Sequence, residues 1–410
     1  MRLCQNPVFK RQAFKIQHIV TFVFLLAINL VSFAVVQGQA LPTFYLRKVE
    51  EKRLPGVIQG PNNDWGVDGN SPAVRDANGN LTLFHSMSFP WRSAGADLFH
   101  MTPSRQVTIN QMDVVEGGLW LEAVHRDADG TLFGWFHNEF QTGCERIGLG
   151  APRIRQMISY DDGKTWDDMG VVIAAPDGFF NCDTENYYFS GGTGDFSVIL
   201  DQTTNCFYFY FTTYSPDFSQ QGISIARLKY QDRFQPAGKV MNWRNGEWDE
   251  SALGGKLSPI FPPQVSWHES NLNAFWGPAI HYNAYLNQYV MLLNHAVDAR
   301  WSTEGFYISF NPNIANPDGW STPQRLPVTP DSPLQAYPQI FGLEQDGTDR
   351  LARQTGRLFL QGVSSWEIVF WEPQVRALRP SNSSSTRLAA PARDAGTPKP
   401  TDPSSGRTRQ

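Results

Sequence analysis

The chain has 410 residues, 41% apolar, 18% charged and 13% aromatic, which excludes a disordered polymer and leaves room for one large domain or two ordinary ones. Its 34 Lys and Arg against 39 Asp and Glu give a net charge of −5, so no basic field is available to hold a polyanion, and this argues against a nucleic-acid partner. With 34 Gly, 28 Pro and 13 Trp, the composition favours many short strands and turns over long helices.

In chain order, residues 1–40 read as a secretory signal. Arg2, Lys10, Arg11 and Lys15 form a positive n-region, Ile19 to Val36 is an uncharged apolar run, and Gly38-Gln39-Ala40 offers small residues before a cleavage site. The secreted or periplasmic product would carry 30 basic against 39 acidic side chains, a net charge of −9. The alternative is an uncleaved membrane anchor through residues 19–36, since a bilayer takes about 20 apolar residues. Loss of Cys4 with the signal leaves three cysteines. An odd number in an oxidising compartment implies one bridge and one buried thiol. Cys144 and Cys182 lie in irregular, Gly- and Asn-rich stretches and are the expected pair, whereas Cys206 begins a strand-like apolar run. No Cys/His spacing suggests zinc.

From about residue 43 to 374 one pattern recurs: an apolar strand, an acidic or Asn-containing turn, then an aromatic strand. The copies are residues 69–86, 118–139, 194–213, 277–296 and 337–365, with turn residues Asp76, Asp127, Asp201, Asn283 and Glu344. A third strand-like run follows each pair, at 97–101, 151–159, 222–228, 305–310 and 366–371. Repeats of this length each make one small sheet, and radial repetition of such sheets makes a β-propeller. The fold expected over residues 41–378 is therefore an all-β, five-bladed propeller. The last blade runs out after its third strand, so residues 43–49 are expected to close it from the N-terminus and cover its edge. Residues 379–410 are rich in Ser, Pro, Arg and Thr, lack apolar periodicity and read as a disordered tail.

Ser159-Tyr160-Asp161-Asp162-Gly163-Lys164-Thr165-Trp166 matches S-x-D-x-G-x-T-W, the pattern of an Asp box. Asp161 can accept backbone amides across the turn, Gly163 allows positive φ, and Trp166 can fold over the adjacent strand, so the motif reads as a structural clasp. A degenerate copy, residues 309–323, follows the third strand of the fourth unit.

Together with the GNSP, GDFS and WGPA strand starts, these turns resemble those of five-bladed propeller glycoside hydrolases, the group that includes arabinanases, β-xylosidases, levanases and invertases. The resemblance implies a carbohydrate-active protein whose partner is an oligo- or polysaccharide. The WMNDPNG, RDP and EC signatures of that group are absent from this chain. Two functions therefore stay open: hydrolysis of a glycosidic bond, and non-catalytic glycan binding or scaffolding. The resemblance assigns Asp68 as base or nucleophile, Glu139 as acid and Asp195 as a third carboxylate.

Topology points to the same residues. The start of a first strand and the end of a second lie at the same end of an antiparallel blade. Asp68 and Asp195 stand at first-strand starts and Glu139 at a second-strand end, so all three face one mouth, and glycoside hydrolysis needs two such carboxyls. Glu122 is an alternative, expected instead to face a neighbouring sheet or solvent. Trp65, His137, Asn138, Arg153, Trp276, His281 and Asn294 are candidate substrate-binding residues, because sugar rings stack on aromatic faces and bond to amide and imidazole groups. No cofactor is required by this chemistry. Ca²⁺ in the channel is a further expectation, held by oxygens of the HNEF segment or of the Asp-containing strand starts.

Overall fold

The computed structural model describes residues 41–55, 67–110, 117–146, 148–333 and 335–372. The signal or anchor reading of residues 1–40, Trp65 and the proposed tail lie outside them. Among the described residues, no helix is long and apolar enough to cross a membrane.

Five antiparallel sheets are arranged as a five-bladed propeller. Blade 1 contains Ala73–Arg75, Leu81–His85, Trp91–Gly95 and Arg105–Gln106. Blade 2 contains Leu119–Arg126, Leu132–Gln141, Gly150–Ser159 and Thr165–Ile173, with Thr108–Asn110 added in parallel outside. Blade 3 runs from Thr193–Asp201 through Cys206–Thr213, Gly222–Lys229 and Met241–Arg244 to Glu247–Ser251. Blade 4 has Ala274–Asn283, Gln288–Ala296, Thr303–Asn311 and Gln324–Arg325, with Leu351–Ala352 paired in parallel to its first strand. Blade 5 is Pro338–Gly342, Thr355–Leu360 and Val363–Trp371, closed by Thr43–Arg53 from the N-terminal side.

The expected third strand of the first blade is corrected. Residues 97–101 form a turn rather than a strand, because the Asp97 side chain accepts the amides of Phe99 (2.7 Å) and His100 (3.0 Å). The strand lies earlier, at Trp91–Gly95, paired with Leu81–His85.

Propeller sheets are buried on both faces, which explains the unbroken aromatic run of Cys206–Thr213. Its side chains alternate. Phe207, Phe209 and Phe211 pack with Trp135 and Ile154 of blade 2, while Tyr208 and Tyr210 pack with Ile280 and Met291 of blade 4. A one-residue slip would exchange these faces, so both cores together hold the register.

The Ser159–Trp166 turn shows how one connection clamps neighbouring blades. Asp161 Oδ1 accepts the amides of Lys164 (3.0 Å) and Thr165 (2.9 Å). Gly163 adopts φ +77°, and a Cβ there would also strike the Phe84 ring at 2.3 Å. Trp166 Nε1 donates to Gly163 O (3.1 Å), and its fully buried ring meets Phe84 of blade 1 and Phe136 of blade 2 edge-on, both at 5.7 Å. The copy at residues 309–323 places Trp320 against Tyr210 of blade 3. Trp166→Ala is expected to destabilise the fold by about 3–5 kcal/mol; a chemical denaturation midpoint equal to wild type would refute the clasp role.

Candidate active site

At one end of the central channel lies a cavity of about 260 Å³, with Asp68, Glu122, Glu139 and Asp195 in its lining. The backbone explains how these groups reach it. The first strands of blades 2, 3 and 4 each break register, between Leu121 and Ala123, Gly194 and Phe196, and Trp276 and Ala279. Bulges of this kind re-aim side chains out of the pleat, and here they present Glu122 and Asp195. Glu122 lines the cavity and its Oε2 also meets the Phe196 amide of the neighbouring blade, so the expected neighbouring sheet is found and the expected solvent is not.

Four cavity residues also hold left-handed backbone: Asp195 (φ +45°), Trp301 (+63°), Tyr337 (+55°) and Gln361 (+50°). Among the described residues, the other non-glycine positions with positive φ are Asp162, Asn205, Asn245 and Asn287, types that tolerate it in turns. Trp, Tyr and Gln do not share that tolerance. Such strain persists only where the surrounding structure enforces it.

Hydrogen bonds fix the carboxyl groups individually. Asp195 accepts the hydroxyls of Tyr214 and Tyr337, the latter at 3.0 Å. Glu122 Oε2 accepts the Phe196 amide at 2.6 Å, and Asp68 Oδ2 accepts Trp120 Nε1 at 3.1 Å. His137 stands among them: its Nδ1 accepts the Asp195 amide at 3.0 Å, and its Nε2 lies 3.3 Å from Glu139 Oε1. Gly194 allows this approach, since a Cβ there would fall 2.5 Å from the imidazole.

Crowding four acids in a poorly solvated cavity shifts their protonation. Asp68 opens to the cavity, yet the blade walls surround it. This desolvation, followed by the charges of Asp195 and Glu139, raises its pKa to about 6 against the opposing effects of His137 and Trp120. Burial pushes Glu122 well above the usual carboxylate range, and burial also raises Asp195, with His137, Tyr214 and Tyr337 opposing. Burial alone would lower His137, but its contact with Glu139 and the charges of Asp195 and Glu122 raise it to about 9. The Asp195 amide, however, needs a lone pair at Nδ1, so the proton of a neutral ring sits on Nε2 toward Glu139. Full protonation requires giving up that amide contact.

Glu122, His137 and Asp195 each offer a ligand atom within 4.8 Å of the others. They fit the expected calcium poorly: they bring one nitrogen and two carboxylates where calcium takes about six to eight oxygens, and His137 Nδ1 and both Asp195 oxygens already accept hydrogen bonds.

The opposite wall is aromatic. Trp301 stacks on Tyr214 (5.3 Å, 24°) and meets Trp276 at 4.8 Å, while Trp276 meets Tyr337 at 5.3 Å. At the rim, buried Asn186 Oδ1 accepts the amides of Tyr188 (2.9 Å) and Phe189 (3.1 Å), and its Nδ2 donates to Trp267 O (3.1 Å). A Cys144–Cys182 disulfide and Arg146, which donates to Thr184 O and Asn186 O, tie this rim segment to the loop after Glu139. Cys206 is free and buried.

Of the residues singled out from sequence, the cavity gathers Asp68, Glu139, Asp195, His137 and Trp276. Asn138 and Arg153 stand behind it: Arg153 Nε donates to Asn138 Oδ1 at 2.9 Å, its guanidinium lies over Phe140, and Asn138 Nδ2 donates to Gly118 O. Asn294 shapes the cavity through the backbone, accepting the Tyr337 amide (2.8 Å) and donating to Trp276 O (3.2 Å). His281 does not line the cavity. It is buried in blade 4 near Phe370, with a pKa lowered to about 3 by burial and then by Arg350. Sequence reasoning did not name Trp120, Trp301 and Tyr337 as cavity residues. For Trp120, its place two residues before Glu122 was a usable signal; nothing local marked the other two.

No family model matches the chain, and no curated protein matches it. Among solved structures it is similar to a variant of the Phanerochaete chrysosporium exo-β-1,3-galactanase with β-1,3-galactotriose, at 11% identity and TM-score 0.44, over 79% of this chain and 64% of that one. It is also similar to an exo-1,5-α-L-arabinanase from a bovine ruminal metagenomic library, at 12% identity and TM-score 0.45, over 74% of this chain and 94% of that one. A third is a Bacillus subtilis arabinanase, at 13% identity and TM-score 0.43, again over 74% and 94%. The chain thus spans less than two thirds of the galactanase and nearly all of the two arabinanases.

The raised Asp68 carboxyl has a stability consequence with a definite sign. Its folded pKa of about 6 exceeds its ordinary value of 3.8, so ionising it costs stability as pH rises through that window, and the cost is complete above it. Asp68→Asn is expected to raise Tm at pH 7.5 and to give no such gain at pH 3.5; an equal shift at both pH values would contradict the burial argument.

Proposed function

We propose that the protein hydrolyses a glycosidic bond in an oligo- or polysaccharide. The observation that carries this reading is the convergence of four carboxyl groups from three blades on a cavity walled by Trp276, Trp301 and Tyr337. The aromatic wall suits the C–H face of a sugar ring, and the carboxyl groups suit its hydroxyls and its scissile oxygen.

In this mechanism Glu139 protonates the leaving oxygen. It is partly exposed on the cavity side, and His137 Nε2 lies 3.3 Å from its Oε1. Asp68, ionised above about pH 6, activates water or attacks the anomeric carbon. Asp195, held by two tyrosine hydroxyls and the bulged backbone, supplies the third charge, which helps keep the Asp68 pKa raised. Glu122, whose carboxyl burial raises well above the usual carboxylate range, is biased toward its neutral form, which lessens the charge the cluster must carry. We also propose that the protein works in an oxidising, extracytoplasmic compartment. The signal-like sequence of residues 1–40 and the Cys144–Cys182 bridge support this.

On a panel of arabino-, xylo- and galacto-oligosaccharides, Glu139→Gln and Asp68→Asn are each expected to lower kcat by about 10²–10⁴-fold with binding retained. Wild-type kcat/KM is expected to fall below a pH of about 6 as Asp68 takes up a proton. Wild-type turnover matched by Glu139→Gln would reject the acid assignment. Binding without turnover in wild type and variants alike would favour the glycan-receptor alternative.

A further inference from the structure

The interior of the cavity is acidic, but its mouth carries a cation of a different character. Arg300 lines the cavity, and among the described residues no carboxylate lies within ion-pair distance of its guanidinium. That group instead stands 5.6 Å over the ring of Tyr187. Tyr187 is 61% exposed and its neighbour Tyr188 is 37% exposed, with their rings 5.5 Å apart. Rings this open are not filling a core.

The Arg300 segment is also braced. Asp298 Oδ1 accepts the amides of Arg300 and Ser302, both at 3.0 Å, and Asp298 O accepts that of Trp301 at 2.9 Å. Tyr187 N donates to Ala299 O (3.0 Å), which joins the two segments directly. Trp301, next in the chain, holds φ +63° with its ring locked against Tyr214. Arginine and tyrosines are thus set in place before any ligand arrives, which lowers the ordering cost of binding.

We propose that Arg300, Tyr187 and Tyr188 form a rim subsite for an anionic sugar residue, one carrying a carboxylate or a sulfate ester. The inference rests on the glycosidase reading and names the substrate class for it. A guanidinium presents a planar fork of donors that matches both anions, and the tyrosine faces take the sugar ring. The carboxyl cluster repels an anion from the cavity floor, so the charged residue occupies the rim while a neutral residue sits between Asp68 and Glu139.

The test is calorimetric titration of the full chain in a Glu139→Gln background, so that the probes are not consumed. The probes are an oligogalacturonide, a sulfated galactan oligosaccharide and a neutral xylo-oligosaccharide of equal length. At least one anionic probe is expected to bind about tenfold more tightly than the neutral one, the advantage to disappear in Arg300→Gln and to survive in part in Arg300→Lys. Raising NaCl from about 50 to about 500 mM is expected to weaken the anionic probe selectively. A preference for one anionic probe identifies carboxylate or sulfate as the recognised group. Unchanged affinities in Arg300→Gln, or neutral binding as tight as anionic, would overturn the subsite. Wild-type turnover of the same probes reports separately on the glycosidase reading, because the titration reads binding alone.

Discussion

Four carboxyl groups held in one desolvated cavity repel one another, and much of the surrounding structure serves to tolerate that repulsion. Left alone, the two buried acids, Glu122 and Asp195, would take up a proton or move apart. The chain offers each of the four a separate support: two tyrosine hydroxyls for Asp195, a backbone amide for Glu122, an indole N–H for Asp68 and an imidazole for Glu139. Among the described residues no lysine lines the cavity, and Arg300 stands at its rim.

Those supports come from different blades, so the cavity depends on how the blades are locked together. Asn70 reaches across the channel to the carbonyls of Phe196 (2.8 Å) and Pro278 (2.9 Å), joining blades 1, 3 and 4. Arg350, at the base of the channel, donates to Ser197 Oγ, Ile280 O and Glu122 O and so ties the bulged strands of blades 2, 3 and 4. The aromatic packing between blades supplies the stability against which the left-handed backbone of Asp195, Trp301 and Tyr337 is held. Strain at the site and apolar burial between the sheets are two parts of one arrangement.

Much of the architecture was legible in the sequence. The repeated strand–turn–strand units marked the blades, because a sheet buried on both faces needs continuous apolar and aromatic strands between turns. The missing last strand of blade 5 implied closure by the N-terminal segment, since an open edge would otherwise remain. The failure at residues 97–101 is equally physical: an Asp97 side chain that caps two amides outcompetes an apolar-looking segment. For the cavity, antiparallel geometry was enough to bring Asp68, Glu139 and Asp195 to one end. It was not enough for Glu122, whose direction depends on a bulge that leaves no mark in the residue pattern.

By itself, the sequence determined the five repeated sheets, the closing strand, the clasp at Ser159–Trp166 and the end of the channel where the acidic residues gather. These follow from period, turn chemistry and strand direction, all of which are local. Only the tertiary structure decided that Glu122 belongs with those acids, that His281 does not face them, that Trp120, Trp301 and Tyr337 wall the cavity, and that Arg300 stands at its rim over Tyr187. Such facts depend on register shifts and on contacts between blades far apart in the chain, where one residue of displacement turns a side chain from the core to the cavity.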